Sequence, residues 1–363
     1  MLVANDGFSA GHVVRMVAIA RGLARRAAQR GIETRLLLAT TSEAFTLLAN
    51  EDIAVVHLPA PVAARRAGFS DRERRLLVHG MLAGIAESFA PDLLVVDTFP
   101  NGPHGEVAGL RVGRSKRALV RRSVPDAAAA SVTDGIADYD LAIVADDPVT
   151  HGPELGIRTV AVPPITLGEA RDALSRDDAR AALGVDPGAS ARLVLVASGG
   201  GGDADAVTRA AAIAEAITRV APDTTPVIAL GPLVPATYVP PPSILVTRVA
   251  PLQRLLGAFD GAFAAAGYNT AHELAKAGVP AALFAQPRPF DDQAARAQRF
   301  ANAGLACVLT RANDDGVAEA LRWMVASSRR TVEAGGADRA ADALLDLFTS
   351  SSSSSSKAGG TAR

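Results

Sequence analysis

Short apolar runs alternate with amphipathic stretches along almost the whole chain. The runs are rich in Val, Leu, Ile and Ala, as expected of strands that are buried on both faces of a sheet. The stretches between them carry apolar residues at helical spacing. This alternation is typical of βαβ units that wind a parallel sheet with helices on both faces, so it predicts an α/β fold.

The predicted strands form two series. The first series comprises residues 2–4, 35–39, 54–58, 93–97, 117–121, 141–145 and 159–162. The second comprises residues 193–197, 226–230, 244–247, 261–265, 281–285 and 306–309. Helices are predicted between them, for example over residues 12–30 and 71–90. The pattern therefore predicts two doubly wound, Rossmann-like domains that face each other across a cleft.

The boundaries of these domains follow from interruptions of the pattern. Residues 1–165 form the predicted first domain and residues 191–348 the second, ending in an amphipathic helix over residues 337–348. Prolines, a charged stretch and Asp186-Pro187-Gly188 make residues 166–190 a predicted linker and hinge. The Ser-rich residues 349–363 are too polar to repay the cost of ordering and are expected to be a disordered tail.

Composition narrows the class of protein. With 49% apolar and 21% charged residues the chain is expected to be globular rather than disordered. A net charge of −1 offers no global field for binding nucleic acid, so any phosphate must be bound locally. Cys307 is the only cysteine, which excludes a disulfide framework and a multi-cysteine zinc site. We expect a cytoplasmic protein with no membrane span and no cofactor.

The first candidate site is the loop that follows the first strand. Gly7 and Gly11 permit a tight turn, and His12 stands at the start of the next helix. Ligands of open α/β sheets bind at the carboxyl ends of the strands, where His12 is placed to transfer a proton near neutral pH. In the alternative interpretation, the glycines make a turn and His12 only caps it.

The second candidate is Asp97, at the end of the apolar run of residues 93–96. A carboxylate there is placed to hydrogen-bond His12, fix its tautomer and stabilise the imidazolium. The sequence therefore predicts a catalytic pair of His12 and Asp97. The alternative is that Asp97 only starts the following loop.

The third candidate is a glycine run between a strand and a helix. It comprises Ser198, Gly199, Gly200, Gly201 and Gly202. Exposed backbone N–H groups and a helix N-terminus can hold a diphosphate without lysine. The run matches neither the dinucleotide fingerprint nor the P-loop, so a merely flexible turn is the alternative.

The fourth candidate comprises two loops of the second predicted sheet. Gly267 and Asn269 can open a helix, on which Thr270 and Glu273 share one face. A carboxylate at this place can accept both hydroxyls of a ribose. Asp292 and Gln293 follow the next strand and offer donors and acceptors suited to sugar hydroxyls.

These residues resemble glycosyltransferase family 28 and its relatives, which include the N-acetylglucosaminyltransferase that makes lipid II. Gly267-x-x-Thr270-x-x-Glu273, the Pro-rich loop that follows and Gln293 resemble the donor-binding signature of that family, and Gly7-x-x-x-Gly11-His12 resembles its first glycine loop. The chain looks most like a bacterial branch whose members mostly lack defined substrates. It departs from the lipid II enzyme at Arg296-Ala297, where that enzyme has Asn-Ala.

The resemblance implies a GT-B fold and metal-independent transfer of a sugar from a nucleotide-diphosphate donor, most simply UDP-linked, to a hydroxyl of a small or lipid-linked acceptor. By position, residues 199–202 would contact the diphosphate, Glu273 the ribose, Asp292 and Gln293 the donor sugar, and Val249 the nucleobase. His12 would face the acceptor. Peripheral contact with a membrane is left open.

Two other functions stay open at this point. Gly11-His12-Val13-Val14-Arg15 also resembles nucleotide-sugar hydrolases of pseudaminic-acid pathways, which use water as the acceptor. A non-catalytic protein that binds nucleotide sugars is the other alternative. Release of free sugar without an added acceptor would distinguish the hydrolase from the transferase.

Overall fold

A computed structural model provides the structure of the chain. The described residues are 1–5, 10–49, 51–122, 133–145, 155–168, 172–186, 191–197, 199–200, 204–235, 237–241, 244–249, 251–288, 291–332 and 335–355. Among the predicted site residues, Gly7, Ser198, Gly201 and Gly202 lie outside these ranges.

The first half of the chain builds a parallel sheet of seven strands in the order β3-β2-β1-β4-β5-β6-β7. Its strands are β1 (Leu2–Ala4), β2 (Leu37–Thr40), β3 (Ala54–His57), β4 (Leu93–Asp97), β5 (Lys116–Arg121), β6 (Leu141–Ala145) and β7 (Thr159–Val162). Three helices connect the early strands: α1 (Gly11–Gln29), α2 (Pro61–Arg66) and α3 (Asp71–Phe89). The strand order reverses at β1 and β4, which makes their carboxyl ends the expected place for a ligand.

Helices cover both faces of this sheet because its central strands are apolar on both sides. Leu2 of β1 and Val95 of β4 pack into the core that contains α1, whereas Val3 and Val96 pack into the core that contains α3. Successive side chains of a strand point to opposite faces, so the two cores alternate along each strand. Asp97 therefore belongs to the α1 face, and Asn5, which follows β1, to the α3 face.

The second half builds a parallel sheet of six strands in the order β10-β9-β8-β11-β12-β13. Its strands are β8 (Arg192–Ala197), β9 (Thr224–Ala229), β10 (Leu245–Thr247), β11 (Gly261–Ala265), β12 (Ala281–Phe284) and β13 (Ala306–Val308). The helices are α4 (Arg176–Ala182), α5 (Ala204–Val220), α6 (Tyr268–Lys276), α7 (Gln293–Asn302) and α8 (Asp314–Ala326). This architecture confirms the predicted fold class of two doubly wound α/β sheets.

The last helix, α9 (Gly336–Ser355), returns to the first sheet. Its buried residues Ala340 and Leu344 pack with Ile19 of α1 in one core. Ion pairs join the exposed sides of the two helices: Arg26 with Asp342 at 2.8 Å, and Arg30 with Asp342 and Asp346 at 2.6 Å each. The helix over residues 337–348, which was predicted to end the second domain, thus buries its apolar face against α1 of the first sheet.

The structure also differs from the predicted tail. Residues 349–355 continue α9 rather than starting a disordered segment. A helix that is already nucleated and held by packing extends at little cost, even through serines. Residues 356–363 lie outside the described residues. In the predicted linker, residues 176–182 form α4, and Ala179 packs into the core of the second sheet.

No helix within the described residues combines the length and the apolar character that a membrane span requires.

Candidate active site

His12 and Asp97 lie in contact at the carboxyl ends of the first sheet. His12 is the second residue of α1, directly after β1, and Asp97 is the last residue of β4, the strand beside β1. His12 Nδ1 contacts Asp97 Oδ2. The His12 side chain is 16% exposed, whereas that of Asp97 is fully buried. Nε2 thus lies on the side of the imidazole ring away from the carboxylate, the arrangement that orients a histidine as a general base.

Arg15 binds the same carboxylate from the next turn of α1. Arg15 Nε donates to Asp97 Oδ1 and Arg15 Nη2 to Asp97 Oδ2, both at 2.7 Å. Burial alone would raise the pKa of Asp97, but Arg15 and His12 outweigh it and hold that pKa well below its ordinary value. Asp97 is therefore a permanent carboxylate, fixed on both oxygens.

Thr98 completes this cluster in a strained backbone conformation. Its φ of 59° lies in the left-handed region, which a β-branched residue rarely adopts. Arg15 Nη2 donates to Thr98 Oγ1 at 3.0 Å, and Thr98 Oγ1 donates to Asp97 Oδ2 at 3.1 Å. Strain of this kind costs about 1–3 kcal/mol and is typical of functional sites.

Tyr268 connects the two sheets at this cluster. It is the first residue of α6 and is 6% exposed. The guanidinium carbon of Arg15 lies 5.9 Å from the Tyr268 ring centre, and that of Arg296 lies 5.7 Å from it. The backbone N–H of Ile165 donates to Tyr268 Oη at 3.2 Å. One aromatic ring therefore contacts a cation from each half of the molecule.

Asp291 forms a second connection between the halves. Asp291 Oδ1 accepts from Arg122 Nη1 at 2.5 Å and from Arg296 Nη2 at 2.7 Å. Burial would raise the pKa of Asp291, but the two arginines lower it to about 2. Arg296 also donates to the carbonyl of Ala266 at 2.8 Å. The place where the lipid II enzyme has asparagine thus holds a buried, ion-paired arginine.

The predicted ribose site lies on α6. Gly267 is the N-cap of this helix, and Asn269, Thr270 and Glu273 are partly buried. Burial raises the pKa of Glu273 to about 8, although Lys276 nearby lowers it. Within the described residues, no hydrogen bond or ion pair reaches the Glu273 carboxylate. It is a carboxyl group that lacks the donors a buried carboxylate needs.

Asn269 faces the first domain. Its Nδ2 lies 3.5 Å from the carbonyl oxygen of Gly11, and its buried Oδ1 has no hydrogen-bond partner in the part of the chain that the structure describes. Gly11 is the first residue of α1, next to His12. The structure therefore brings the first and fourth predicted loops together across the cleft.

Part of the predicted diphosphate loop lies within the described residues. Gly199 has a φ of +90°, and the carbonyl of Gly200 accepts from Leu233 N at 3.0 Å. A side chain at Gly231, after β9, would clash with the backbone of Gly199 and Gly200. Gly231 therefore permits two strand-end loops to pack against each other, a role that the sequence analysis missed.

Asp292 and Gln293 already make hydrogen bonds within the protein. Asp292 is the N-cap of α7, and its Oδ1 accepts from Ala295 N at 2.9 Å. Gln293 is buried, its Oε1 accepts from Gln286 N at 3.0 Å, and its Nε2 lies 3.3 Å from Asp291 Oδ2. Both residues thus shape the loop between β12 and α7, and their predicted contact with a sugar stays a prediction.

Val249 follows β10 and is 38% exposed, and its backbone N–H donates to Thr247 Oγ1 at 3.3 Å. Arg248 fixes this loop by donating to the carbonyls of Val234 and Pro235. The predicted nucleobase contact is therefore an exposed residue on an anchored loop.

Four further residues of the site were missed by the sequence analysis: Arg15, Tyr268, Asp291 and Arg296. Arg15 carried a usable signal, since it is a charged residue inside the apolar stretch of residues 13–20, one turn after His12. The other three carried none. Asp291 and Arg296 meet because their loop folds back on itself, and their further partners, like those of Tyr268, are distant in the chain.

No protein-family model matches the chain. No curated protein matches it either. Solved structures do resemble it over nearly its whole length. The calicheamicin glycosyltransferase CalG4 is 17% identical over 96% of this chain and 98% of its own, with a TM-score of 0.60.

Two other solved structures are similar to the same extent. The spinosyn rhamnosyltransferase SpnG, complexed with thymidine diphosphate, is 19% identical over 96% of each chain, with a TM-score of 0.55. A UDP-glucosyltransferase from Polygonum tinctorium is 13% identical over 96% of this chain and 98% of its own, with a TM-score of 0.63. Identities this low establish the architecture alone, and this chain has the GT-B fold that the sequence predicted.

Proposed function

We propose that this protein is a glycosyltransferase that moves a sugar from a nucleoside-diphosphate sugar to a hydroxyl of an acceptor. The observation that carries the proposal is the His12–Asp97 pair at the carboxyl ends of β1 and β4, inside a GT-B fold. An oriented histidine at this edge serves transfer to a hydroxyl, whose proton must be removed as it attacks. The similar solved structures are named as glycosyltransferases, which supports the same reaction class.

In the proposed reaction, His12 Nε2 takes the proton from the acceptor hydroxyl while its oxygen forms a bond to the anomeric carbon. The bond from that carbon to the phosphate oxygen breaks, and the nucleoside diphosphate leaves with the electron pair. Asp97 stabilises the imidazolium that forms, and Arg15 holds Asp97 in place. General-base assistance of this kind contributes about 10²–10⁴-fold in rate.

The donor is proposed to bind to the second half of the molecule. Backbone N–H groups of the glycine run would contact the diphosphate. The Glu273 carboxylate, which has no hydrogen-bond partner within the described residues, would accept from the ribose hydroxyls. Thr270 and Asn269 line the same helix start. Asp292 and Gln293 would contact the donor sugar, and Val249 would contact the nucleobase.

The finer features of the proposal come from the resemblance and from the similar structures. SpnG has been solved with thymidine diphosphate and with spinosyn aglycone, so thymidine diphosphate joins UDP as a nucleotide part of the donor to be tested. An aglycone as acceptor fits the proposed small molecule better than the lipid-linked alternative. Two further points stay predictions: that the transfer needs no metal, and that the chain is related to glycosyltransferase family 28.

Nucleoside diphosphates added one at a time to the purified protein test the donor half of this proposal. TDP, UDP and GDP are compared by thermal unfolding, because a ligand at 100 times its Kd adds about 2.7 kcal/mol of stability. We expect one of them to raise Tm by several degrees. If none does so at millimolar concentration, the proposed function is wrong.

The matching nucleotide sugar then separates transferase from hydrolase. It is incubated with and without a panel of phenolic and alcoholic acceptors, and free sugar and glycoside are quantified. We expect glycoside only when an acceptor is present and slow release of free sugar without one. Rapid hydrolysis that acceptors do not suppress would identify a nucleotide-sugar hydrolase instead.

A further inference from the structure

A second group of buried polar side chains lies at the carboxyl edge of the first sheet, on the α3 face. It comprises Asn5 after β1, Arg74 on α3, and Glu106 in the loop after β4. The His12–Asp97 pair lies at the ends of the same two strands but on the α1 face. The two groups therefore flank one place in the sheet, the place where ligands of such sheets bind.

Among the residues that the structure describes, Arg74 is a buried cation without a counter-ion. It is 1% exposed, and its only hydrogen bond to these residues is a long one, 3.4 Å from Nη1 to the carbonyl of Pro59. Its Nε and Nη2 are buried and have no hydrogen-bond partner among them. Within the described residues, no carboxylate lies within ion-pair distance of it. Burying an unpaired guanidinium is costly, so such a group is expected to have a partner in the working state.

The acidic member of this group is already occupied. Glu106 Oε1 accepts from Asn5 Nδ2 at 2.8 Å, and Glu106 Oε2 accepts from His104 N at 2.8 Å. Glu106 therefore holds its own loop rather than neutralising Arg74. Asn5 Oδ1 is a further buried atom that finds no hydrogen-bond partner among the described residues.

Other charged groups lie around the loop that contains His104. Burial and then Arg74 lower the pKa of His104, Glu106 and Asp71 raise it, and the exposed Arg65 lowers it. Arg121, the last residue of β5, is 4% exposed on the same face, and burial lowers its pKa too. No ion pair of Arg121 occurs within the described residues. Two buried arginines thus lie at one sheet edge with no acid assigned to either.

The unpaired atoms of Arg74 are the two that bind an oxyanion side-on. Arg15 uses the same pair of atoms, Nε and Nη2, to hold both oxygens of Asp97 at 2.7 Å. A planar fork of this kind fits a carboxylate or phosphate group, which accepts two parallel hydrogen bonds.

We propose that Arg74 Nε and Nη2 bind a carboxylate or phosphate group of the acceptor, so that the preferred acceptors are anionic. The assignment of the anion to the acceptor rests on the proposed function, whereas the anion site itself does not. Because Arg74 is covered in the structure, we expect the anion to enter with a local movement of the loop that contains His104.

The test uses Arg74→Met, with Arg72→Met as its control, since Arg72 is an exposed arginine on the same helix. Thermal unfolding is measured at constant ionic strength with inorganic phosphate, 4-hydroxybenzoate and the uncharged 4-hydroxybenzamide. In the wild type and Arg72→Met we expect at least one of the two anions to raise Tm and the amide to leave it unchanged. In Arg74→Met we expect this rise to be lost and the Tm without anion to be equal to or above the wild-type value, because a buried unpaired charge has been removed.

Arg74→Lys covers the case in which the methionine variant does not fold. It keeps the charge but lacks the fork, so we expect its anion affinity to fall about tenfold or more. An equal Tm rise in the Arg74 variants and the wild type, or no rise with either anion in the wild type, would overturn the proposal. The response to TDP and UDP is recorded in parallel. An Arg74-dependent anion response without any nucleotide response would leave the anion site standing and reject the proposed function.

Discussion

Arg15 holds both carboxylate oxygens of Asp97 while the same carboxylate contacts His12, so one helix supplies both the histidine and the cation that fixes its partner. His12 and Arg15 are three residues apart and therefore lie on one face of α1. The carboxylate is fully buried and cannot leave this arrangement without breaking a charged pair. The histidine is thus positioned by the fold before any substrate binds.

Replacing Arg15 by methionine is expected to destabilise the protein by about 3–5 kcal/mol, the usual cost of removing one partner of a buried ion pair. Urea unfolding measures this loss. The pKa of Asp97 is held below its ordinary value in the wild type, so its contribution to stability is present above that ordinary value and is lost as the pH falls. Without Arg15, burial raises the pKa of Asp97, and the difference between the two proteins should narrow in acid.

Arg15→Lys is the matched control for this prediction. It keeps the positive charge but cannot bind both oxygens through one planar group. We expect Arg15→Lys to lose less stability than Arg15→Met. Compared with this loss of stability its loss of turnover should be larger, because the orientation of His12 depends on the fixed carboxylate. Equal stability of wild type and Arg15→Met at neutral pH would show that the Arg15–Asp97 pair contributes nothing.

His12→Ala is expected to lower kcat for glycosyl transfer by about 10²–10⁴-fold, the range of general-base assistance. The affinity for the nucleoside diphosphate should stay unchanged, because the proposed donor contacts lie on the second sheet. Calorimetric titration with the nucleotide and a kinetic assay with the matching nucleotide sugar measure the two quantities separately. Parallel loss of both would place His12 in donor binding rather than in proton transfer.

Glu273→Gln is expected to change how stability depends on pH. Burial raises the pKa of Glu273 to about 8, above its ordinary value of 4.5, so the folded state binds a proton that the unfolded state lacks between these values. Wild-type stability should therefore fall from pH 4.5 to 8 through this group and level off above 8, and glutamine should abolish that fall. Urea unfolding at pH 5, 7 and 9 measures it.

Glu215→Gln, at an exposed position on α5, is the control for the substitution itself. A difference between Glu273→Gln and the wild type that stays constant with pH would contradict the burial of the Glu273 carboxyl group. A second variant, Glu273→Ala, should weaken binding of the nucleoside diphosphate. Affinity equal to that of the wild type would remove the ribose assignment.

Gly231→Ala is expected to displace Gly199 and Gly200, part of the proposed diphosphate site, without contacting the ligand. The new methyl group would meet the backbone of Gly199 and Gly200, which cannot move as a side chain can. We expect a stability loss of about 1–3 kcal/mol and nucleoside diphosphate binding about tenfold weaker, or about 1.4 kcal/mol. Calorimetric titration and thermal unfolding measure the two effects.

Gly84→Ala provides the opposite control. Gly84 lies inside α3 with open space around its Cβ position, so alanine should stabilise the protein by about 0.4–1 kcal/mol and leave nucleotide affinity unchanged. Nucleotide affinity that is unaffected in Gly231→Ala would show that the glycine run does not contact the diphosphate.

The sequence was sufficient to predict the sheets. Each of the thirteen predicted strands has a counterpart in the structure, because short apolar runs separated by polar loops have few other ways to bury themselves. The ends of the strands are predicted less accurately. The structure has β2 at Leu37–Thr40 and β9 at Thr224–Ala229, against predictions of 35–39 and 226–230, since pairing with neighbouring strands decides where each one stops.

The contact between His12 and Asp97 followed from topology, because the carboxyl ends of adjacent strands share one edge. The positions of Arg296 and Gln293 did not follow, because their partners depend on how a loop folds back on itself. Gln293 matches a sugar-binding pattern in sequence, but in the structure it already makes hydrogen bonds within its own loop. Sequence patterns record residue types and cannot record which hydrogen bonds are already made.

The return of α9 to α1 has a consequence for how the protein is made. The core that surrounds Ile19 is completed by Leu344, which leaves the ribosome long after the rest of the first sheet has emerged. Translation proceeds at about 5–20 residues per second. The nascent first half of the chain, here called the first lobe, therefore keeps an open apolar groove on α1 for many seconds while the second half is translated. The first lobe is therefore the part of this molecule that needs protection during biosynthesis, and a chain shortened before α9 should engage chaperones rather than fold.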